Sequence, residues 1–369
     1  MMSTLLTERK SSNLTRGRLP GYASYVTAGA AVVLAAALMA LAGFNVLGWA
    51  VLSGLLYAVG TVTSAAVVEG RRKAVDRLAT ALVVGAFLVA LLPLVSVIIT
   101  VLINGIPGLL APGFLGTSMN GVSGIQDNQS VANHTTVLGG AYHALAGSVL
   151  ITLWATLISV PIGLLTAIYL VEYGAGNKLS KAITFLVDVM TGIPSIVAGL
   201  FAAALFSMLL GPGTKTGFVA AIALSVLMIP VVVRSSEEML KIVPNELREA
   251  AYALGVRKWR TIMKVVIPTA ISGIASGVTL AIARVIGETA PLLVTAGFAT
   301  TINFNVFSGW MASLPTFIYT QIMTPTSPSN PDPSTQRAWA AALLLILLVM
   351  LLNLAARLVA RLFAPRKGR

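Results

Sequence analysis

Eight long runs of apolar residues constrain this chain more than any other feature of its sequence. A helix needs about 20 mostly apolar residues to cross a lipid bilayer, and most of these runs contain no charged residue. The sequence therefore predicts an all-α integral membrane protein with about eight transmembrane helices. The predicted spans are Val26–Phe44, Val46–Val68, Leu78–Ile103, Leu145–Val171, Ala182–Leu210, Thr216–Val233, Val265–Gly297 and Ala338–Ala360.

The composition excludes most other classes of protein. Hydrophobic residues make up 57% of the 369 positions and charged residues only 10%, whereas a soluble domain carries about 25% charged residues. The chain has no cysteine, two histidines and twelve carboxylates, which leaves little material for a metal or acid–base site. We therefore expect no catalytic residue, no metal site and no cofactor.

The net charge of +13 has two interpretations, attraction to nucleic acid or a signal for membrane orientation. If the N-terminus is cytoplasmic, all but three of the 25 Lys and Arg residues lie on the cytoplasmic side of the predicted spans. The exceptions are Lys215 and Arg337 outside and Arg284 within the membrane. Cytoplasmic loops of membrane proteins carry such an excess. The pattern favours a multi-pass chain with both termini in the cytoplasm, in contact with lipid and not with nucleic acid.

The spans fall into two groups along the chain. Residues 1–25 are predicted to form a basic cytoplasmic tail, and residues 26–77 a transmembrane hairpin with its linker. Residues 78–369 hold the other six spans. Between the sixth and seventh spans lies the longest charged stretch, Arg234–Lys264, and with the first residues of the seventh span it makes up a loop of residues 234–268.

This loop is predicted to contain a short amphipathic helix. Asn245 is a suitable N-cap, and Gly255 is a typical C-terminal stop. Between them, apolar side chains recur at helical spacing. Such a helix can lie on the membrane surface or can form a docking ridge for a soluble partner. The apolar positions are Leu247, Ala250, Ala251 and Leu254.

The same loop resembles the EAA loop of ABC-importer permeases, EAA-x3-G-x9-I-x-L-P. The matching residues are Glu249-Ala250-Ala251, Gly255 and Val265-Val266-Ile267-Pro268, with Val265 and Ile267 as conservative replacements. The resemblance implies a six-helix type I ABC importer permease core, to which the N-terminal hairpin is an addition. It also implies that Glu249, Ala250, Ala251 and Gly255 couple the chain to a separate ATPase subunit.

The chain is predicted to lack an ATPase site of its own. A phosphate-binding P-loop requires G-x-x-x-x-G-K-[ST]. The nearest segment, Gly211–Thr216, lacks the glycine before Lys215. We therefore expect a transporter subunit that is not itself an enzyme.

Arg284 and Glu288 are the ionisable residues most in need of explanation. A charge near the centre of a spanning helix costs about 2.5–3.5 kcal/mol on insertion scales. Their spacing of four residues predicts that they lie on one face of a helix. The pair is either a structural ion pair or the lining of a pathway for an anion, and both interpretations stay open. Asp188, in the fifth predicted span, is either a gate residue or an interfacial one, and the interfacial interpretation is favoured.

The segment Ala283–Leu293 resembles the ARxxGETAPLL stretch of phosphate-specific ABC permeases of the PstA type. Thr191–Gly199 resembles the PSIVxG stretch of the same family. The resemblance implies a phosphate importer in a bacterial cytoplasmic membrane. Its partners would be a homologous second permease, two copies of an ATP-binding subunit and an extracytoplasmic phosphate-binding protein.

Three alternatives remain at this stage. The chain could be a permease for another oxyanion, such as sulfate or molybdate. It could be an ion-coupled secondary transporter, which would leave the EAA helix unexplained. It could also be a membrane scaffold in which Arg284 and Glu288 are purely structural.

Overall fold

The structure is a computed structural model that describes residues 17, 19–174 and 176–363. Within these residues every regular element is helical. The chain divides into two compact units, residues 1–98 and residues 99–369, which are described separately below.

Fourteen α-helices and two π-helical segments lie within the described residues. Seven helices are long and apolar enough to cross a membrane, or eight if the bent pair α6–α7 counts as one span. This result confirms the all-α membrane fold. The α-helices are α1 Ala23–Ala42, α2 Val46–Val68, α3 Arg71–Leu109, α4 Gly124–Ala132, α5 Tyr142–Ile168, α6 Lys178–Thr191, α7 Ser195–Leu210, α8 Gly217–Ile242, α9 Asn245–Ala253, α10 Lys258–Thr261, α11 Ile267–Val285, α12 Ala290–Thr295, α13 Leu314–Met323 and α14 Asp332–Phe363. The π segments are π1, Tyr169–Tyr173, and π2, Ile262–Val266.

The first unit contains the hairpin of α1 and α2. The side chain of Asn45 accepts a hydrogen bond from the backbone amide of Leu47 and so caps α2. After α2, Glu69 accepts hydrogen bonds from the amide of Leu19 at 2.9 Å and from the Arg77 guanidinium at 2.9 Å. The Leu19 amide, together with Arg77, lowers the pKa of Glu69. The carboxylate therefore fixes the residues before α1 to the linker after α2.

The second unit is built around α5 and α8, whose buried faces pack along most of their length. Glycines allow close approach of neighbouring helices. A Cβ at Gly163 of α5 would lie 2.7 Å from Val232 of α8. On α11, Gly273 and Gly277 contact Met239 and Ser235 of α8. The GxxxG pair thus brings α11 onto α8, as such pairs do between membrane helices.

The predicted fifth span, Ala182–Leu210, is not one helix. α6 ends at Thr191, α7 begins at Ser195, and their axes differ by 106°. Pro194 has no amide to continue the helical ladder, and the residue before a proline avoids helical geometry. The interruption therefore lies at Gly192–Pro194.

The sixth and seventh spans also differ from their predicted limits. The seventh span, Val265–Gly297, is interrupted, because α11 ends at Val285 and α12 begins only at Ala290. The sixth, Thr216–Val233, continues as α8 to Ile242. Residues 234–242 of the predicted loop are therefore helical.

The second unit has two distinct ends, at opposite ends of α5. One holds α9 and is called the α9 end; the other holds α4 and α13 and is called the α4–α13 end. At the α4–α13 end, Arg337 is 1% exposed and forms a bidentate pair with Asp127, at 2.9 and 2.6 Å. Arg337 also donates to Gln321 at 3.0 Å. This buried pair connects α14 with α4 and α13.

Candidate functional site

The C-terminus of α9 is closed by a Schellman motif. The amide of Gly255 donates to the carbonyl of Tyr252 at 2.9 Å, and that of Val256 to Ala251 at 3.1 Å. Gly255 has φ +70°, which costs a glycine little because it has no Cβ. The predicted helix stop at Gly255 is therefore confirmed.

The start of α9 differs from the prediction. Pro244, with φ −60° and ψ 141°, occupies the N-cap position, and Asn245 is the first helical residue. The Asn245 side chain accepts a hydrogen bond from Arg248 at 3.2 Å and caps no helix amide. The prediction of Asn245 as N-cap is wrong, since the proline already sets the extended backbone that precedes the helix.

The apolar stripe of α9 is divided between two directions. Ala251 is buried against the second unit, whereas Leu247, Ala250 and Leu254 are exposed, Leu254 by 84%. Glu249 is exposed as well. The helix therefore presents small and apolar side chains outward next to a carboxylate, a surface suited to a partner.

Arg248 attaches α9 to two other elements. Its guanidinium donates to Glu172 of π1, from Nη2 at 2.8 Å and from Nε at 3.1 Å. It also donates to the carbonyls of Val243 at 2.6 Å and Leu240 at 3.0 Å, where α8 ends. Sequence reasoning missed this contact because Glu172 and Arg248 are 76 positions apart and no motif links them.

A second contact joins π1 to the chain that follows α9. The ammonium of Lys258, the first residue of α10, lies 4.8 Å from the centre of the Tyr173 ring. This distance lies within the range of cation–π attraction. π1 is therefore linked to α9 itself through Arg248 and to the chain beyond α9 through Lys258.

Arg284 and Glu288 do not share a helix. Arg284 lies exposed in the last turn of α11, and Glu288 lies half-buried in the non-helical residues 286–289. Across the described residues no ion pair within 4 Å joins them. The expectation that their spacing puts them on one helix face is wrong, because the helix ends between them.

The segments that carry the PstA-type resemblance meet in space. α7 follows Pro194, and it packs against α12, which follows Glu288 and Thr289. A Cβ at Gly199 of α7 would lie 2.6 Å from the Cα of Pro291 in α12. The two interruptions, at 192–194 and 286–289, therefore adjoin one packed pair of short helices.

Asp188 is part of a chain of charges near the end of α8. It pairs with Arg234, which also donates to Glu237 at 3.1 Å, and Lys241 donates to Glu237 at 2.7 Å. Asp188 is exposed while Glu237 is buried. The residue that the sequence suggested was merely interfacial thus connects α6 with α8.

Metal-binding geometry is not found in the part of the chain that the structure describes, since no three His, Asp or Glu residues are grouped there. His143 is buried beside Phe317, with their ring centres 5.3 Å apart. His134 is exposed in the segment after α4. Neither histidine joins the charged residues described above.

A bundle of apolar spans with an exposed, glycine-terminated EAA helix at one end defines a membrane permease of the ABC-importer class. Residues 159–369 match the family "Binding-protein-dependent transport system inner membrane component". The chain belongs to this family.

Curated relatives agree with this assignment. The chain is 46% identical to "Phosphate transport system permease protein PstA 1" of Mycobacterium tuberculosis, over 81% of this chain and 91% of that protein. It is 41% identical to "Phosphate transport system permease protein PstA" of Yersinia pestis, over 63% of this chain and 75% of that protein. Among solved structures, an inward-facing MetNI methionine ABC transporter matches with a TM-score of 0.47 and 21% identity, over 61% of this chain and 94% of that chain.

Proposed function

We propose that this chain is the permease subunit of an ATP-driven phosphate importer. The observation that carries the proposal is the identity of 41–46% to permeases of phosphate transport systems. The two segments of PstA type lie within that family's fold and pack together as α7 and α12. The proposed cargo is inorganic phosphate.

ATP is hydrolysed by a partner subunit, and the conformational change of that subunit is passed to this chain through α9. Glu249, Ala250 and Ala251 lie on this helix, with Gly255 closing it. Ala250 lets a partner approach closely, and Glu249 offers a charge for pairing. The exposed Leu247 and Leu254 supply apolar area that the chain alone leaves uncovered. We propose that α9 docks into a cleft of an ATP-binding subunit, which covers this area.

Arg284 and Glu288 are proposed to line the phosphate pathway. Non-helical backbone at membrane depth is tolerated only where protein buries it or where it lines a water-filled cavity. Residues 286–289 are such backbone, and Arg284 lies two positions before the first of them. A guanidinium stays charged and matches phosphate geometry with its paired donors. Glu288, four positions on, limits how tightly the anion is held.

The excess of basic residues supports an orientation for the chain. The α9 end and both termini are proposed to face the cytoplasm, and the α4–α13 end the outside. The membrane is a bacterial cytoplasmic membrane.

The partner subunits follow from this orientation. A phosphate-binding protein delivers cargo to the α4–α13 end. A homologous second permease completes the pathway, and two ATP-binding subunits bind at the α9 end. The six-span core is residues 78–369, and the hairpin of residues 26–77 is accessory to it.

Labelled phosphate uptake in phosphate-starved cells tests the proposal. We compare cells without the chain, with the chain restored, and with Arg284→Gln at equal membrane levels. Arg71→Gln is the matched control, because Arg71 is exposed at the start of α3. We expect deletion to abolish high-affinity uptake, Arg71→Gln to restore it, and Arg284→Gln to leave it at least about tenfold lower, the scale of one charge-assisted interaction.

The possible results separate the alternatives. Full restoration by Arg284→Gln makes Arg284 structural and leaves the importer intact. Unchanged phosphate uptake after deletion, with no second phosphate system expressed, contradicts the phosphate assignment and points to sulfate or molybdate.

A further inference from the structure

The loop that holds α9 is fastened to one short segment, π1, at two points, one within α9 and one beyond its end. Before the middle of α9, Arg248 reaches Glu172; beyond its end, Lys258 lies over Tyr173. Glu172 and Tyr173 are the last two residues of π1, which directly follows α5. π-helical turns inside longer helices frequently mark functional positions. This one provides two neighbouring anchors for a helix far along the sequence.

We propose that Glu172 and Tyr173 are positioning residues that make α9 move as one body with α5 and α8. The inference rests on the proposed function, because α9 must carry ATP-driven movement for its attachment to matter. Neither residue contacts the cargo or a nucleotide in this scheme. Their effect acts through Arg248 and Lys258.

The burial of the Glu172–Arg248 pair makes this link stiff. The side chains are 5% and 12% exposed, so water competes poorly for their hydrogen bonds. Hydrogen bonds between ionised groups are stronger than neutral ones. Removing either partner leaves the other charge buried and unpaired, which is costly. The pair therefore resists separation when a partner pulls on α9.

The same guanidinium holds the end of α8. It donates to the carbonyls of Leu240 and Val243, where α8 ends and carbonyls run out of amide partners further along the helix. One side chain thus joins α9, π1 and the last turn of α8. Since α5 and α8 form the central packed pair of the second unit, displacement of α9 is transmitted to both.

The helical backbone is broken on either side of α9, and these two breaks explain why the anchors are needed. Pro244 precedes the helix with extended backbone, and Gly255 follows it with a positive φ. Without the anchors, α9 would pivot about these points while the spans stayed still. ATP would then be hydrolysed without moving cargo.

The test measures phosphate transported per ATP hydrolysed in the complete reconstituted complex. We compare Glu172→Gln, Arg248→Gln, the double variant and Glu238→Gln. Glu238 is the matched control because it is exposed on α8. We expect each single variant to retain assembly and ATP hydrolysis while the transport ratio falls about tenfold. The double variant should lose little more than Arg248→Gln alone, because the two residues act through one contact.

Tyr173 gives a second comparison that depends only on its ring. Tyr173→Phe keeps the aromatic face and should preserve the ratio. Tyr173→Leu removes the face and should lower the ratio about threefold, the scale of an exposed cation–π contact.

Arg248→Lys keeps the charge but not the paired donors of the guanidinium. Its ratio of phosphate transported to ATP hydrolysed should lie between those of wild type and Arg248→Gln.

Defined results overturn the inference. A wild-type ratio in Glu172→Gln shows that α9 does not depend on this anchor. Parallel loss of ATP hydrolysis, assembly and uptake in Glu172→Gln shows a role in folding and not in coupling. If the wild-type complex itself moves no phosphate, the proposed function fails. This result is therefore distinguishable from a failure of the inference about Glu172 and Tyr173.

Discussion

At the scale of single residues, an arginine–carboxylate pair is buried at each end of the second unit. Arg337 with Asp127 closes the α4–α13 end, and Arg248 with Glu172 closes the α9 end. Both join residues distant in sequence. A buried pair contributes little net stability, but a half-removed pair is strongly destabilising. These pairs therefore specify how loops and helices meet.

Asp127→Asn tests the first of these pairs. We expect the free energy of unfolding to fall by about 3–5 kcal/mol, because Arg337 loses its bidentate partner in a dry environment. Thermal unfolding of the detergent-solubilised protein measures the change. Asp76→Asn is the control, since Asp76 is exposed on α3. Equal stability of the two variants would show that the Asp127 pair is dispensable.

Gly255 tests the closure of α9. A Cβ at this position meets no atom within 4 Å, yet φ is +70°, so any penalty comes from the backbone alone. Gly255→Val should weaken co-purification of the ATP-binding subunit. The left-handed backbone at this position should cost the valine about 1–2 kcal/mol of conformational free energy. Gly255→Asn should behave like wild type, because asparagine tolerates this conformation. Identical behaviour of the two variants would refute the backbone explanation.

At the scale of elements, the contact of α7 with α12 holds the two helix interruptions together. Gly199 is the close point, with the α12 backbone where a side chain would stand. Gly199→Ala should therefore separate the two helices and reduce uptake about tenfold or more, since overpacking typically costs 1–3 kcal/mol. Gly54→Ala, in open space on α2, is the control. Normal uptake by Gly199→Ala at equal membrane levels would contradict this assignment.

Hydropathy predicted the apolar runs, and the glycine pattern predicted where α9 ends. Neither pattern could predict where the fifth and seventh spans are interrupted. Pro161 and Pro230 lie within α5 and α8 without ending them, whereas Pro194 ends a helix. In membranes, neighbouring helices can satisfy the groups that a proline frees, so the outcome depends on packing and not on local sequence. The i, i+4 argument for Arg284 and Glu288 failed because α11 ends at Val285, between the two residues.

At the scale of the whole molecule, the N-terminal hairpin contributes an even number of spans. A chain lacking residues 2–70 should keep the orientation of the remaining spans, because two crossings are removed together. We expect phosphate uptake to persist at equal membrane levels. The matched family region begins at residue 159, well beyond the deletion. Loss of uptake with intact insertion would show that the hairpin is part of the transport machinery.

Phosphate accumulation in proteoliposomes tests the central claim most directly. The chain is reconstituted with a second permease, the ATP-binding subunit and the phosphate-binding protein, with ATP supplied at the α9 end. We expect labelled phosphate to accumulate only with ATP and only with every subunit present, and excess sulfate or molybdate not to compete. Accumulation by this chain alone without ATP, or equal competition by sulfate, would contradict the account.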